Sequence, residues 1–518
     1  MGGINRILRF IKRNRLTVPI IMGLVCAVMY FRSSIGIDSF DSNADFFRSG
    51  LRIIFIISWF FLSGFYMMYA YYSDRTGGRN FVVDKLRYDR SYFDLINVYK
   101  DAEPYKMKID DLPREDWRSS EGIIMGRVDG RLIKRSASEN GGEGVNVGVF
   151  GRPGTGKTAA ELIITALVYG GSIFTLDIKG DILAATKNHR NIKIFSPADP
   201  LNSCHYNPLA GINMMSLTKR NEFIEGIAAI LIPKERDRYW YQTARSIFCG
   251  VSLYLLHENP NTTLPDIATA ILLKSAPEWI TKIKDSDCVE AQVYTNSLYK
   301  SSETNLQGAY GTLATAVRPF HDQYMSELLR ETGDVLSPID LEAGFDIYVE
   351  LPQEGIDTYA PLVTIMVQDF MNYFMRRDDK SSGKKQQPVL FMLDEFPQLN
   401  FEFETIHKAL STLRSKCVSV MLAMQSISQL TDKYGDSACT VIIDTCSYFT
   451  ILSAQDPKSR KFFSELIGKR KVLKLTSGGS SEDREYVFQD GDFSNLGENV
   501  IVYALGKYIL AEKIYWFK

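Results

Sequence analysis

Cysteine is scarce in this 518-residue chain, and its charges cancel almost completely. The seven cysteines, at positions 26, 204, 249, 288, 417, 439 and 446, form no C-x-x-C pair and no zinc-like spacing, and their odd number argues against a disulfide framework. They read as reduced, mostly buried thiols of a cytosolic body. Cys204-His205 has no second ligand pair nearby, so it reads as a loop or core feature in preference to half of a metal site. With 60 basic against 61 acidic residues the formal charge is −1, which excludes an overall positive field able to coat nucleic acid indiscriminately. Any such contact must be confined to a groove or channel. Heptads and tandem repeats are missing as well.

What is present is ordinary globular composition, 45% hydrophobic and 23% charged, in a chain long enough for roughly two to four units with their own cores. Membrane character is local. Leu16 to Phe31 carries no charge and, at ~1.5 Å per residue, covers most of a ~30 Å hydrocarbon core, with Arg15 and Arg32 placed to snorkel. A basic stretch before one apolar run also fits a signal peptide, but a second uncharged segment, Ile53 to Ser73, decides against that reading. Its end carries Tyr66, Tyr69, Tyr71 and Tyr72 as an interfacial belt. Transmembrane helices are therefore expected at about 16–35 and 52–73. Arg6, Arg9, Lys12, Arg13 and Arg15 precede the first span, Asp38, Asp41 and Asp45 lie between the two, and Arg75, Arg79, Lys85 and Arg87 follow. Both termini and the body beyond the second span are thus expected in the cytoplasm.

The body opens with strand character around Asp129-Gly130, a type I′ hairpin signal. "ENGGEG" (139–144) then leads into the apolar strand "VNVGVF" and a glycine loop, and "SIFTLD" (172–177) and "NIKIFSP" (191–197) follow as strands alternating with helices. From Asn213 to about Tyr324 the periodicity turns helical, as in "RYWYQTARSIFCGVSLYLL", and predicts an inserted all-α domain. Sheet signals return at "FDIYVELP" (345–352), and the chain ends in a hairpin expected to turn at Gly506-Lys507. The expected division is an anchor over 1–80, a first part of the nucleotide-binding domain over 81–212, the insertion over 213–325 and a second part over 326–518.

Gly151, Gly156, Lys157 and Thr158 fit G-x-x-x-x-G-K-[ST] without exception. Gly151, Arg152, Pro153, Gly154, Thr155, Gly156, Lys157 and Thr158 are accordingly expected to cradle the phosphates of ATP, with Lys157 as a point charge at the β and γ groups and the Thr158 hydroxyl on Mg²⁺. The apolar strand "VLFML" delivers Asp394 and Glu395 at its end. Asp394 suits the metal's water shell, and Glu395 suits activation of the attacking water. A further apolar strand, "VSVMLAM", ends at Gln425, either a sensor of the γ-phosphate or a polar strand cap. Arg414, at the end of the preceding helix, is either an arginine finger reaching a neighbouring subunit or a surface ion pair.

In their order, "GRPGTGKT", "LDIKGD" (176–181), "HYNPL" (205–209), the helical insertion, "LDEF" and "MQSISQL" (424–430), behind two N-terminal spans, make a chain that resembles the type IV coupling proteins. These are the membrane ATPases of bacterial conjugation and type IV secretion. The resemblance implies a RecA-like α/β P-loop domain with an inserted all-α domain, assembled as a homo-hexamer at the inner membrane. It also implies a cargo of relaxase-bound single-stranded DNA, or of protein, delivered to a secretion channel. Residue by residue it implies Lys157 and Thr158 in the loop, Asp394 and Glu395 as the hydrolytic acids, Gln425 as the sensor and Arg414 as the finger. The chain departs from the family pattern at "PQLNFEFE" and at Asp444-Thr445, and it stops after the last hairpin without the acidic tail some relatives use for recruitment. A receptor for protein effectors alone, or a slow recruitment hub, are the competing readings. "TSGGSSEDRE" (476–485) differs from the LSGGQ-type signature and follows the acids, which speaks against an ABC transporter.

Overall fold

A computed structural model describes residues 106–107, 117–136, 143–379, 386–476 and 479–518. The expected spans at 16–35 and 52–73 lie outside the described residues. Among the described residues no helix is long and apolar enough to cross a membrane.

The main unit comprises Met107–Ile467 and Phe488–Lys518. Its centre is an 11-stranded sheet formed by β1 (Ile123–Val128), β2 (Arg131–Arg135), β3 (Asn146–Phe150), β4 (Ser172–Asp177), β5 (Ile192–Phe195), β6 (Asp346–Glu350), β7 (Val389–Leu393), β8 (Val418–Met424), β9 (Tyr448–Ile451), β12 (Asn499–Ala504) and β13 (Lys507–Glu512). The order across the sheet is β2-β1-β13-β12-β9-β3-β8-β7-β4-β6-β5. From β9 to β5 neighbouring strands run parallel, whereas β12, β13, β1 and β2 extend the sheet with antiparallel pairs. A separate hairpin, β10 (Lys469–Thr476) with β11 (Gly479–Tyr486), belongs to the second unit.

Strands β3, β4, β7 and β8 are buried along their whole lengths. That is why their apolar residues do not alternate strictly with polar ones, and why even Asn146, Ser172, Thr175, Asp177 and Ser419 within them are buried: helices cover both faces of a parallel sheet. In β7, Leu390, Phe391, Met392 and Leu393 are each 0% exposed, and each such side chain contributes about 1.5–3 kcal/mol on burial. The strand ends therefore have fixed positions, and ligands of such sheets sit outside their carboxyl ends.

The first hairpin turns at Asp129-Gly130, both with positive φ (49° and 76°), as the type I′ signal requires. The last one turns at Leu505-Gly506, one position before the expected Gly506-Lys507, because Lys507 already pairs with Ala504.

Between β5 and β6 the chain is helical. Its longest helix, Arg238–Glu258, starts where the Asp237 carboxylate caps Tyr239 N, and it buries Ala244, Ile247, Phe248, Val251 and Leu253 against its neighbours. Gly250 permits the close approach of Thr295, since a Cβ there would lie 2.6 Å from Thr295 Cγ2. Helices continue with Gln323–Leu328 and Pro338–Glu342 before β6 begins.

Candidate functional site

The glycine loop leaves the buried end of β3, where Gly151 N donates to Met424 O at 3.1 Å and so anchors the loop to the end of β8. Thr155 Oγ1 donates to Arg152 O at 2.7 Å and closes the turn. Gly154 and Gly156 have φ of +78° and +95°, which L side chains rarely adopt, and nothing lies within 4 Å of where a Gly154 Cβ would be. A π-helical turn, Thr158–Leu162, then feeds the helix Ile163–Val168, whose buried Ile163 and Ile164 lock it to the sheet.

Asp394 and Glu395 follow β7, and β8, with Gln425 just beyond its end, lies between β7 and the loop-bearing β3. This order brings two of the residues singled out from sequence onto one atom of a third. Lys157 Nζ donates to Glu395 Oε1 at 2.9 Å, and Gln425 Nε2 donates to the same oxygen at 3.2 Å. Lys157 Nζ is also 4.0 Å from Asp394 Oδ1. Burial raises the Asp394 carboxyl above its ordinary range, the Lys157 charge opposes the rise, and the Glu395 charge adds to it. Glu395 adopts a left-handed backbone conformation (φ 51°, ψ 42°), which costs a non-glycine residue on the order of 1–2 kcal/mol. Its Oε2 is buried with no hydrogen-bond partner among the described residues.

The loop after the acids is held from behind. Lys433 Nζ donates to Pro397 O at 2.8 Å and to Leu399 O, and burial pushes its ammonium down to about 8. Phe396, fully buried, stacks on Phe401 and Tyr434 at centroid distances of 6.1 and 6.4 Å. Asp177, at the end of β4, accepts from Leu183 N at 2.8 Å. Burial lifts its carboxyl to about 6, against the effect of its backbone hydrogen bonds.

These elements surround a cavity of about 460 Å³. Arg152, Pro153, Gly154, Gly156, Lys157, Thr158, Asp394, Glu395 and Gln425 line it. Lys179, Asp181, Gln353, Ile356, Gln398 and Tyr515 line it too; of these Lys179 and Asp181 belong to "LDIKGD" and Gln398 to "PQLNFEFE", and the other three to no stretch singled out in the sequence. Tyr515 and Lys433 carried no motif; the aromatic run "YWFK" after the last strand was the one available hint for Tyr515.

Arg414 does not line this cavity. It begins a 3₁₀ turn, Arg414–Lys416, is 43% exposed, and pairs with Glu143 at 3.5 Å. Near the start of the helix Arg238–Glu258, Arg236, Arg238 and Tyr239 are exposed, while Trp240 packs over Gly308, where a Cβ would come within 2.3 Å of its ring. Cys204 and His205 turn toward Asp334 and Thr332, with Cys204 Sγ 3.6 Å from Asp334 Oδ2.

A buried parallel strand running into a G-x-x-x-x-G-K-T loop, with acids on a strand one place removed, defines an α/β P-loop NTPase-like fold. More particularly, the chain belongs to the type IV secretory system conjugative DNA transfer family, whose sequence profile matches residues 105–489. It is 25% identical over 349 residues to a probable conjugal transfer protein TraG of Sinorhizobium fredii, covering 62% of this chain and 52% of that one. It is 21% identical over 345 residues to the type IV secretion system-coupling protein VirD4 of Bartonella quintana, covering 62% and 53%. The chain thus spans about half the length of these curated relatives. Its fold is similar to that of the plasmid coupling protein TrwB solved with ADP and Mg²⁺, with a TM-score of 0.60 at 16% identity over 78% of this chain and 90% of that one.

Proposed function

We propose that the chain is an ATP-hydrolysing coupling protein of the bacterial inner membrane. In this reading it works as a RecA-like homo-hexamer that takes up relaxase-bound single-stranded DNA and delivers it to a type IV secretion channel. The observation that carries the reading is the meeting of Lys157 and Gln425 on one oxygen of Glu395, at 2.9 and 3.2 Å, in the wall of the loop's cavity. In that state Lys157 faces both acids and offsets part of their charge. A triphosphate brings more negative charge, and Lys157 exchanges the carboxylate for the β and γ phosphates. Glu395 is then relieved of its cation but still oriented by Gln425, and its unpartnered Oε2 is available to take a proton from the attacking water. Gln425 leads from the hydrolytic site into the helix Ile427–Tyr434, the same helix from which Lys433 holds the acid loop. A change at the γ position is thereby passed to the packed body.

Thr158 and Asp394 offer hydroxyl and carboxylate oxygens in the same cavity, a hard donor set that suits Mg²⁺. When bound, Mg²⁺ supplies neutralisation of the phosphate charge. TrwB, which shares this fold, has been solved with ADP and Mg²⁺, and that supports the same ligands here.

Two apolar segments at 16–35 and 52–73 support the membrane anchor, with both termini in the cytoplasm. The names of the TraG and VirD4 relatives support conjugal transfer and coupling to secretion. Exposed Arg236, Arg238 and Tyr239 offer charge and a stacking ring of the kind single strands use, which favours DNA over a protein-only cargo.

Arg414 lies outside its own chain's cavity, and its ion pair with Glu143 is at the surface, where such a pair is worth about 0–1 kcal/mol, so a neighbour's nucleotide can compete for it. Mixing Arg414→Ala with Lys157→Ala subunits is therefore expected to restore part of the ATP turnover that each variant lacks alone. A mixture no more active than its components would remove both the finger in trans and the shared site it requires.

A further inference from the structure

After β13 the chain does not leave the molecule; it crosses the glycine loop. Lys513 Nζ donates to Thr155 O at 3.0 Å and to Gly497 O at 2.8 Å. Trp516 N donates to Ala159 O at 3.4 Å, and Arg118 Nη2 donates to Lys518 O at 2.8 Å. These bonds fix the segment on either side of Tyr515 and press its ring against the loop: a Cβ on Gly156 would lie 3.2 Å from Tyr515 Cε1. The ring is further fixed by Phe517, 5.5 Å away between centroids, and by Lys518 Nζ, 4.4 Å from its centroid.

Among the described residues that line the cavity, Tyr515 is the one aromatic side chain. The polar apparatus, Lys157, Asp394, Glu395 and Gln425, accounts for a triphosphate and its hydrolysis but offers nothing flat and apolar to a nucleobase. Tyr515 supplies that surface next to Gly156 and Ala159, where the loop passes into its helix.

We propose that Tyr515 is the platform on which the nucleotide base stacks, so that the C-terminal segment completes the nucleotide site. The inference rests on the nucleotide reading of the cavity and adds the recognition of its base. Stacking on a ring is tolerant of base identity, because every base presents a π-face. The site should therefore hold adenine and guanine nucleotides with similar affinity. A second consequence is coupling: a base stacked on Tyr515 braces the strap that Lys513 and Trp516 tie to Thr155 and Ala159.

The test is equilibrium binding of ADP, GDP and inorganic pyrophosphate to the detergent-purified full chain, by calorimetry. The wild type is expected to bind ADP and GDP alike and both at least about tenfold tighter than pyrophosphate. Tyr515→Ala is expected to lose about tenfold in affinity for ADP and GDP, equal to about 1.4 kcal/mol and within the range of base–aromatic stacking. Pyrophosphate binding should stay the same, and Tyr515→Phe should bind as the wild type does. Unchanged ADP affinity in Tyr515→Ala would overturn the proposal. An equal loss for pyrophosphate would overturn it too, since the ring would then only be supporting the loop. Wild-type protein that binds pyrophosphate as tightly as ADP would overturn the base platform alone, and one that binds none of the three probes would overturn the nucleotide reading beneath it.

Discussion

Lys157→Ala is expected to lower ATP turnover by on the order of 10²–10³-fold or more, the scale of removing one transition-state charge donor. The structure gives two reasons for the size of the effect. The ammonium sits within hydrogen-bond distance of Glu395 and 4.0 Å from Asp394, and its side chain is only 7% exposed, so no solvent cation replaces it easily. Removing it takes the positive charge from the phosphates and also leaves two half-buried acids facing each other. The Asp394 carboxyl, already raised by burial and held down in part by Lys157, then rises further and becomes a poorer metal ligand at neutral pH. Steady-state hydrolysis by the purified variant, with the membrane fraction probed for the protein, separates a failed site from a failed anchor. Wild-type turnover in Lys157→Ala would end the motor reading.

Glu395→Gln is expected to keep ATP and barely hydrolyse it. Glutamine preserves the shape of the side chain and can still face Gln425, but it cannot accept the water's proton, and positioned general bases contribute roughly 10²–10⁴-fold. Because the variant no longer offers Lys157 a carboxylate at 2.9 Å, the lysine has less to give up on meeting the phosphates, so ATP should be held at least as tightly as by the wild type. Single-turnover hydrolysis measured beside ATP retention distinguishes the two effects. Hydrolysis near the wild-type rate would remove Glu395 as the base, whereas loss of binding along with hydrolysis would make it a support for the loop.

The part of the site that was legible in sequence is the part written in local pattern. β7 is an uninterrupted apolar run, and β3 and β8 are nearly so, broken by Asn146 and Gly148 and by Ser419; each is followed by polar residues, and parallel packing buries both faces of each. Lys157 could be named because it belongs to the G-x-x-x-x-G-K-T loop that follows β3, and Glu395 and Gln425 because they lie within two residues of the ends of β7 and β8. What was not legible depends on pairing across the chain. Arg127 pairs with Glu512 where β1 meets β13, a contact that no spacing announces, and it is this edge of the sheet that returns the C-terminus to the loop. Tyr515 enters the cavity through that return. Lys433 gives no signal because its partners are main-chain carbonyls, which any sequence would provide. The shift of the last turn to Leu505-Gly506 arises from strand register, which the pattern "ALGKY" leaves open by one residue.

The most direct measurement is ATP hydrolysis by the detergent-extracted full chain with and without single-stranded DNA, over a range of salt, alongside its oligomeric mass. Single-stranded DNA should stimulate hydrolysis, the stimulation should fade as salt rises because the contact is to phosphates, and the active species should have the mass of a hexamer. Hydrolysis that is indifferent to single-stranded DNA at low salt in the assembled protein would contradict a DNA-coupled motor.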